Sequence, residues 1–225
     1  MSKNYLVIKP WGSEYTFYSN KLLSSWLLEM NYLAKTSLHC HPKKKTGLIL
    51  VDGKVQVNIG FYEKITLNAP AKIMIRPGLF HATQCLSKKG CKIIELETPI
   101  DKNDLVRFKD NYGRSQKPYE GKKYMFPLPS SKKVFKKIKF DQVEKINFGK
   151  SLVTLLRVKS EKRLRGFQNK DIIGILEGGL VDKKNRYVLA PGDLVRFDTI
   201  KKLRKVFKIH KKKFMTILRV VKSHV

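Results

Sequence analysis

Residues 37–47 read Ser-Leu-His-Cys-His-Pro-Lys-Lys-Lys-Thr-Gly, and residues 76–81 read Arg-Pro-Gly-Leu-Phe-His. His39 and His41 stand two apart in a stretch of strand character. Their side chains therefore leave one face while Leu38 and Cys40 leave the other. Two imidazoles on one face can share an ion, a donor type that suits Zn, Fe, Ni or Mn. His81 follows the Pro77-Gly78 turn and opens another strand-like run. If that run neighbours the first, a third imidazole joins the pair. The pattern predicts one divalent metal ion on His39, His41 and His81. The chain has five histidines in all, and His210 and His224 fall in a basic C-terminal stretch that fits no such spacing.

Working outward, short apolar runs recur between Gly, Pro, Asn and Asp: TGLILV, KVQVNI, KIMIRP and KIIELET, then KSLVTLLRV, DIIGILE, RYVLAP, DLVRF and FMTILRVV. They are strand-length and rich in β-branched residues, as in an all-β sandwich or barrel. The polar, proline-bearing stretch 116–140 reads as a linker between one domain over 1–115 and another over 141–225. The two halves resemble a degenerate repeat. Placing Gly53 on Gly178 sets His39 on Leu164 and His41 on Gly166. Placing Pro77 on Pro191 sets His81 on Val195. The second copy has the frame without the ligands.

Composition narrows the function classes. In 225 residues there are 48 Lys and Arg against 18 Asp and Glu, a formal net charge of +30. Such a charge invites a nucleic-acid reading. However, only ten of the 48 are arginine, the better reader of phosphates and guanines, and the lysines are spread through both halves. The expected partner is instead an anionic small molecule drawn in by the summed field. No apolar run approaches the roughly 20 residues of a membrane helix. The N-terminus lacks the apolar core of a secretory signal, so a cytoplasmic location is expected. Three cysteines without a paired spacing suggest neither a disulfide framework nor a thiolate zinc site.

The HxH pair, Gly53 twelve residues past His41, and the PG-x-x-H turn together resemble the signature of cupin barrels. That resemblance implies two tandem cupin barrels (double-stranded β-helices, or jelly rolls), a bicupin, commonly paired as a homodimer. Thr46 stands where a cupin usually has a ligand glutamate, and Arg76 replaces the first proline of the second motif. Residues 8–115 further resemble the cupin of type II mannose-6-phosphate isomerases. The matching pieces are Lys9-Pro10-Trp11-Gly12 with Glu14, IIELE at 93–97, and DLVRFKDNYGR at 104–114.

This second resemblance implies a metal-assisted isomerase or epimerase acting on a phosphorylated or nucleotide-linked sugar. Arg107 or Arg114 would reach the sugar or its phosphate, and Lys43, Lys44 and Lys45 would form a second anion clamp at the mouth. Arg107 equally suits an ion pair with a nearby aspartate, and the lysine run a solvated loop. Glu95 and Glu97, two apart, either aim inward as acid–base groups or face solvent while Ile94 and Leu96 fill the core. Thr46 and Cys85 are candidates to line the pocket, Cys85 alternatively as an apolar filler. Two other readings stay open: a three-histidine non-haem iron dioxygenase, and a non-catalytic sugar-binding cupin.

Overall fold

The computed structural model describes residues 5–114, 121–140, 142–209 and 214–223. His210 and His224 lie outside them. The chain forms two compact units, 1–134 and 135–225.

Among the described residues the first unit has twelve strands: β1 (Tyr5–Lys9), β2 (Gly12–Ser19), β3 (Ser24–Met30), β4 (Leu38–Cys40), β5 (Lys45–Asp52), β6 (Lys54–Ile59), β7 (Glu63–Asn68), β8 (Ala71–Ile75), β9 (His81–Cys85), β10 (Cys91–Thr98), β11 (Val106–Lys109) and β12 (Met125–Pro127). One sheet runs β12-β1-β2-β3-β10-β5-β8 and the other β11-β4-β9-β6-β7. Strands β3 to β10 thus cross between a β3-β10-β5-β8 sheet and a β4-β9-β6-β7 sheet, which is the eight-stranded jelly roll. The expected linker does not stay a linker. Its Met125–Pro127 segment pairs antiparallel with β1, so residues 121–134 belong to the first unit.

Alternation along the strands makes the barrel's interior two-ended. At one end Leu28, Leu48, Leu50, Val55, Val57, Cys85, Cys91 and Ile93 form a buried apolar cluster. Continuing inward along the same strands, β10 presents Glu95 and Glu97, β5 presents Thr46, and β9 presents His81. A single strand therefore carries both core and chemistry.

The second unit consists of β13 (Val143–Asn147), β14 (Ser151–Val158), β15 (Ile172–Glu177), β16 (Leu180–Val181), β17 (Tyr187–Leu189), β18 (Leu194–Arg196), α1 (Phe197–Leu203), β19 (Lys208–Ile209) and β20 (Met215–Lys222). Its sheets run β13-β14-β20-β15-β18 and β17-β16-β19. The first repeats β3-β10-β5-β8 as β14-β20-β15-β18, and the second repeats β9-β6-β7 as β19-β16-β17. Both halves are therefore jelly rolls, as the repeat predicts. The counterpart of β4 is absent among the described residues, and a 3-10 turn, Glu161–Leu164, occupies its place in the chain. Gly53 and Gly178 both close the β5–β6-type turn, so that placement holds. The other does not. Pro191 precedes β18, whereas Pro77 follows β8, so the true counterpart of Pro191 is Pro70, ahead of β8. The strand matching His81 is β19, not the β18 that carries Val195. Among the described residues no helix is long and apolar enough to cross a membrane.

Gly12 shows how closely the first unit is packed. Its φ is +143°, and a Cβ there would sit 2.0 Å from the carbonyl oxygen of Glu29. Gly60 has a φ of +61° with nothing within 4 Å of its would-be Cβ. Gly60→Ala should cost only backbone strain, about 1–2 kcal/mol. Gly12→Ala adds a backbone clash and should lower the urea midpoint clearly more; equal midpoints would refute the packing described.

Candidate metal centre

Pairing of β4 with β9 sets His39 directly opposite His81. The turn before His81 is tied to the same strand, because the Gly78 N–H donates to the His41 carbonyl at 2.8 Å. These contacts bring the three rings together, with centroids 5.1 Å (His39–His41), 4.4 Å (His39–His81) and 5.7 Å (His41–His81) apart. One ring nitrogen from each lies within 4.8 Å of the other two.

Each ring is aimed by its other nitrogen. Nδ1 of His39 meets the Ser37 carbonyl at 2.8 Å, Nδ1 of His41 the Asp104 carbonyl at 2.5 Å, and Nδ1 of His81 the Leu79 carbonyl at 3.0 Å. A carbonyl only accepts, so Nδ1 carries the proton and Nε2 is left as the lone-pair donor in all three. Backbone acceptors of this kind commonly fix the tautomer of metal-binding histidines. Burial holds all three rings below the ordinary histidine value. For His81 it does so down to about 4, and at His39 the other two imidazoles add to the effect of burial. They are neutral ligands at neutral pH. The His81 Nε2 is buried without a hydrogen-bond partner. A buried acceptor left bare costs roughly 1–3 kcal/mol, and a metal ion at this point would satisfy it. The residues fit a divalent ion.

The centre opens into a cavity of about 80 Å³. Both Glu95 and Glu97 line it, while Ile94 and Leu96 turn to the other face of the sheet, so the inward alternative is the one realised. Their electrostatic fates differ. The Lys44 ammonium lies 2.8 Å and that of Lys102 3.9 Å from the Glu97 carboxylate, and the Ser24 hydroxyl donates to it at 3.4 Å. Burial pushes Glu97 up, but Lys102 and Lys44 outweigh it and keep the group ionised. Glu95 is raised to about 8 by burial and by the neighbouring Glu97 and Glu14 carboxylates. It is a neutral acid at pH 7.

Arg107 and Arg114 also reach the cavity wall. Arg107 stands opposite His39 across the β4–β11 pair. Arg114 has an aspartate partner, with Nη2 2.7 Å from Asp110. The lysine run is divided by strand alternation. Lys44 points in and is buried, Lys43 is exposed, and neither Lys43 nor Lys45 lines the cavity. Thr46 is buried with an unsatisfied hydroxyl, opposite Glu97 on the neighbouring strand, but outside the cavity lining. Cys85 belongs to the apolar end of the barrel.

Sequence reasoning missed several contributors. Lys9, Trp11 and Glu14 line the cavity, with Lys9 and Glu14 paired at 3.2 Å. Lys9 and Trp11 belong to the Lys-Pro-Trp-Gly motif, and Glu14 follows it. Lys102 lies 3.3 Å above the Trp26 ring. Asp104 does two things at once: its carbonyl fixes His41, and its carboxylate accepts from the backbone N–H groups of Lys43 and Lys44 at 3.1 and 2.8 Å.

No protein-family model matches this chain, and no curated protein matches it. Among solved structures it is similar to KdgF from Halomonas sp., with 16% identity and a TM-score of 0.40 over 43% of this chain and 88% of that one. It is also similar to an RmlC-like cupin from Shewanella frigidimarina NCIMB 400, at 18% identity and TM-score 0.40, over 45% and 87% of the two chains. Capsular polysaccharide assembling protein CapF from Staphylococcus aureus gives 16% identity and TM-score 0.43, over 48% of this chain and 34% of that one.

His81→Ala should lose most bound Co²⁺ or Zn²⁺ in equilibrium dialysis while keeping its circular dichroism spectrum; retained stoichiometry would dismiss the site. In the metal-free protein His81 binds its proton only near pH 4, but in the unfolded chain near 6.5. Between those values the unfolded chain holds more protons, so stability falls as pH drops from about 6.5 to 4. The drop in urea midpoint across that window should be shallower in His81→Ala.

Proposed function

We propose that the first unit is a metal-assisted proton-transfer enzyme, an isomerase or epimerase acting on an anionic, sugar-like substrate. One observation carries this reading. Two carboxylates on one strand, Glu95 and Glu97, share a cavity with two of the three aimed imidazoles, those of His39 and His41, and have acidities driven apart by their surroundings. Groups separated in this way are suited to act as acid and base.

A divalent ion bound by His39, His41 and His81 would polarise a substrate carbonyl or hydroxyl. The chain's own groups supply the rest. Glu95, protonated at neutral pH, can donate to a carbonyl oxygen or, once ionised, remove a proton from the adjoining carbon. Glu97, held by Lys44 and Lys102, stays charged and keeps Glu95 from ionising early. Lys9, Lys44, Lys102, Arg107 and Arg114 face the cavity against Glu14, Glu95 and Glu97, and with Glu95 neutral the balance is positive. That favours a phosphate or carboxylate on the substrate.

A second reading rests on the ligand set itself. Among the described residues the donor cluster is three histidines without a carboxylate, which also suits an Fe(II) oxygenase acting on a small thiol. Oxygen uptake by the iron-loaded protein with small thiols separates the two.

Glu95→Gln keeps size and polarity but cannot shuttle a proton. In the metal-loaded protein it should slow solvent-deuterium incorporation into aldose and ketose phosphates by about 10²–10⁴-fold while leaving metal content unchanged. No exchange by the unmodified protein across such a panel would overturn the isomerase reading.

A further inference from the structure

The sheet whose inner face bears the histidines also has an outer face, and its chemistry is distinct. The sheet runs β11-β4-β9-β6-β7, and these five strands carry one acidic residue, Glu63. Phe80 and Phe108 each stand beside an inward residue, His81 and Arg107, so alternation turns them outward. Phe61, in the turn between β6 and β7, joins them. Ring centroids lie 5.5 Å (Phe61–Phe80), 5.0 Å (Phe61–Phe108) and 5.8 Å (Phe80–Phe108) apart. The cluster is open to solvent: Phe61 is 51% exposed, Phe108 61% and the neighbouring Tyr62 95%. An exposed apolar patch with a polar rim marks an interaction surface.

Here the rim is lysine. Lys109 lies opposite Leu38 across the β4–β11 pair, and Lys64 lies opposite Asn58, itself opposite Ala82. Leu38 and Ala82 adjoin the paired His39 and His81 in sequence and therefore belong to the outer face. Lys35 bridges to Gln84 on the middle strand. At about 4.8 Å per strand, Lys109 on β11 and Lys64 on β7 stand roughly 19 Å apart, with Lys35 between them. Burial lowers the pKa of the Lys35 ammonium, and the charges of Lys64 and Lys109 lower it further. Lysines dispersed along the sequence are thus gathered by folding into one track. Glu63 lies opposite the inward Ile59, so it takes the other face of β7 from Lys64. The Asp110 carboxylate, just past β11, is held by Arg114 at 2.7 Å.

We propose that this face binds single-stranded nucleic acid, with phosphates along the lysine track and bases against Phe61, Tyr62 and Phe108. Exposed rings beside a cationic track match such a strand, because every base has a face to stack. A second copy of the chain fits worse, since a two-fold contact would set these lysines against their own equivalents. The surface needs neither a metal ion nor the reaction proposed above.

Fluorescence anisotropy tests this, titrating the full-length, metal-free protein into labelled oligouridylate or oligothymidylate of about twelve nucleotides. Saturable binding of either strand at physiological salt is expected. Phe61→Ala combined with Phe108→Ala should weaken it about tenfold or more without changing its salt dependence. Lys35→Gln, Lys64→Gln and Lys109→Gln together should flatten the slope of log affinity against log salt by about two, at ~0.7 per phosphate. Lys183→Gln, Lys205→Gln and Lys222→Gln remove the same charge from the second unit and should flatten it by less than half as much. Phe61, Phe108, Lys64 and Lys109 are exposed and Lys35 is half-buried, so the variants should keep their circular dichroism spectra. Absence of saturable binding overturns the proposal. So does unchanged affinity in the phenylalanine variant, or equal flattening by both lysine sets, which would leave general attraction alone. Displacement by polyglutamate as readily as by unlabelled oligonucleotide would assign the face to an acidic protein and equally overturn it.

Discussion

The first barrel depends on the register that sets His39 against His81. A slip of one residue between β4 and β9 would turn one of the two rings to the opposite face. The structure guards that register twice, by the ladder pair itself and by the Gly78 to His41 hydrogen bond beyond its end. Three imidazoles, two buried and His39 half-buried, with their protons already committed to carbonyls make a polar end that contributes little to stability on its own. The apolar cluster around Leu48, Leu50, Val55, Val57 and Ile93, farther along the same strands, offsets it. Core and centre cannot be altered independently, because β5, β9 and β10 build both.

The same dependence explains how the cavity manages without a glutamate at Thr46. Cross-strand register puts Glu97 directly opposite Thr46, so a carboxylate reaches this end of the barrel from β10 instead of β5. It arrives with Lys44 against it, the residue that alternation points inward from the start of β5. A charge-balanced Lys44–Glu97 pair costs less to bury than a lone carboxylate. It also leaves Glu95, two residues back on the same face, as the group that cannot ionise cheaply. Identical side chains on one strand thus acquire different protonation states from the positions of two lysines.

What the sequence displayed was local. The HxH spacing, the Pro-Gly turn and the strand-length apolar runs are written within a few residues, and all three can be read through strand periodicity. What it hid depends on distant pairing. Nothing near Asp104 says that its carbonyl will meet a ring 63 positions away. Nothing in Lys43-Lys44-Lys45 says which lysine turns inward until the start of β5 is fixed. Residues 125–127 looked like linker because an edge strand of three residues has too little pattern to see, and only its partner β1 gives it meaning. The misplacement of Pro191 has a similar cause. A Pro-Gly pair marks a turn, but a barrel has many turns, and the pair alone does not say which.

Comparing the two barrels shows what the frame requires and what it leaves free. Both keep the same arrangement of four strands in the larger sheet and the same turn at Gly53 or Gly178. They differ where the first has β4. A strand there must pair with β9 and β11, and in doing so it delivers its side chains into the mouth in strict alternation. A 3-10 turn owes nothing to such pairing. It can bury Leu164 as a plug and send Lys162 and Arg165 outward around it, which closes the interior and charges the rim in one segment. The first barrel therefore holds its functional atoms inside, where burial keeps imidazoles neutral. The second carries Lys162 and Arg165 at this place, both exposed to solvent. That difference follows from whether one segment remains a strand.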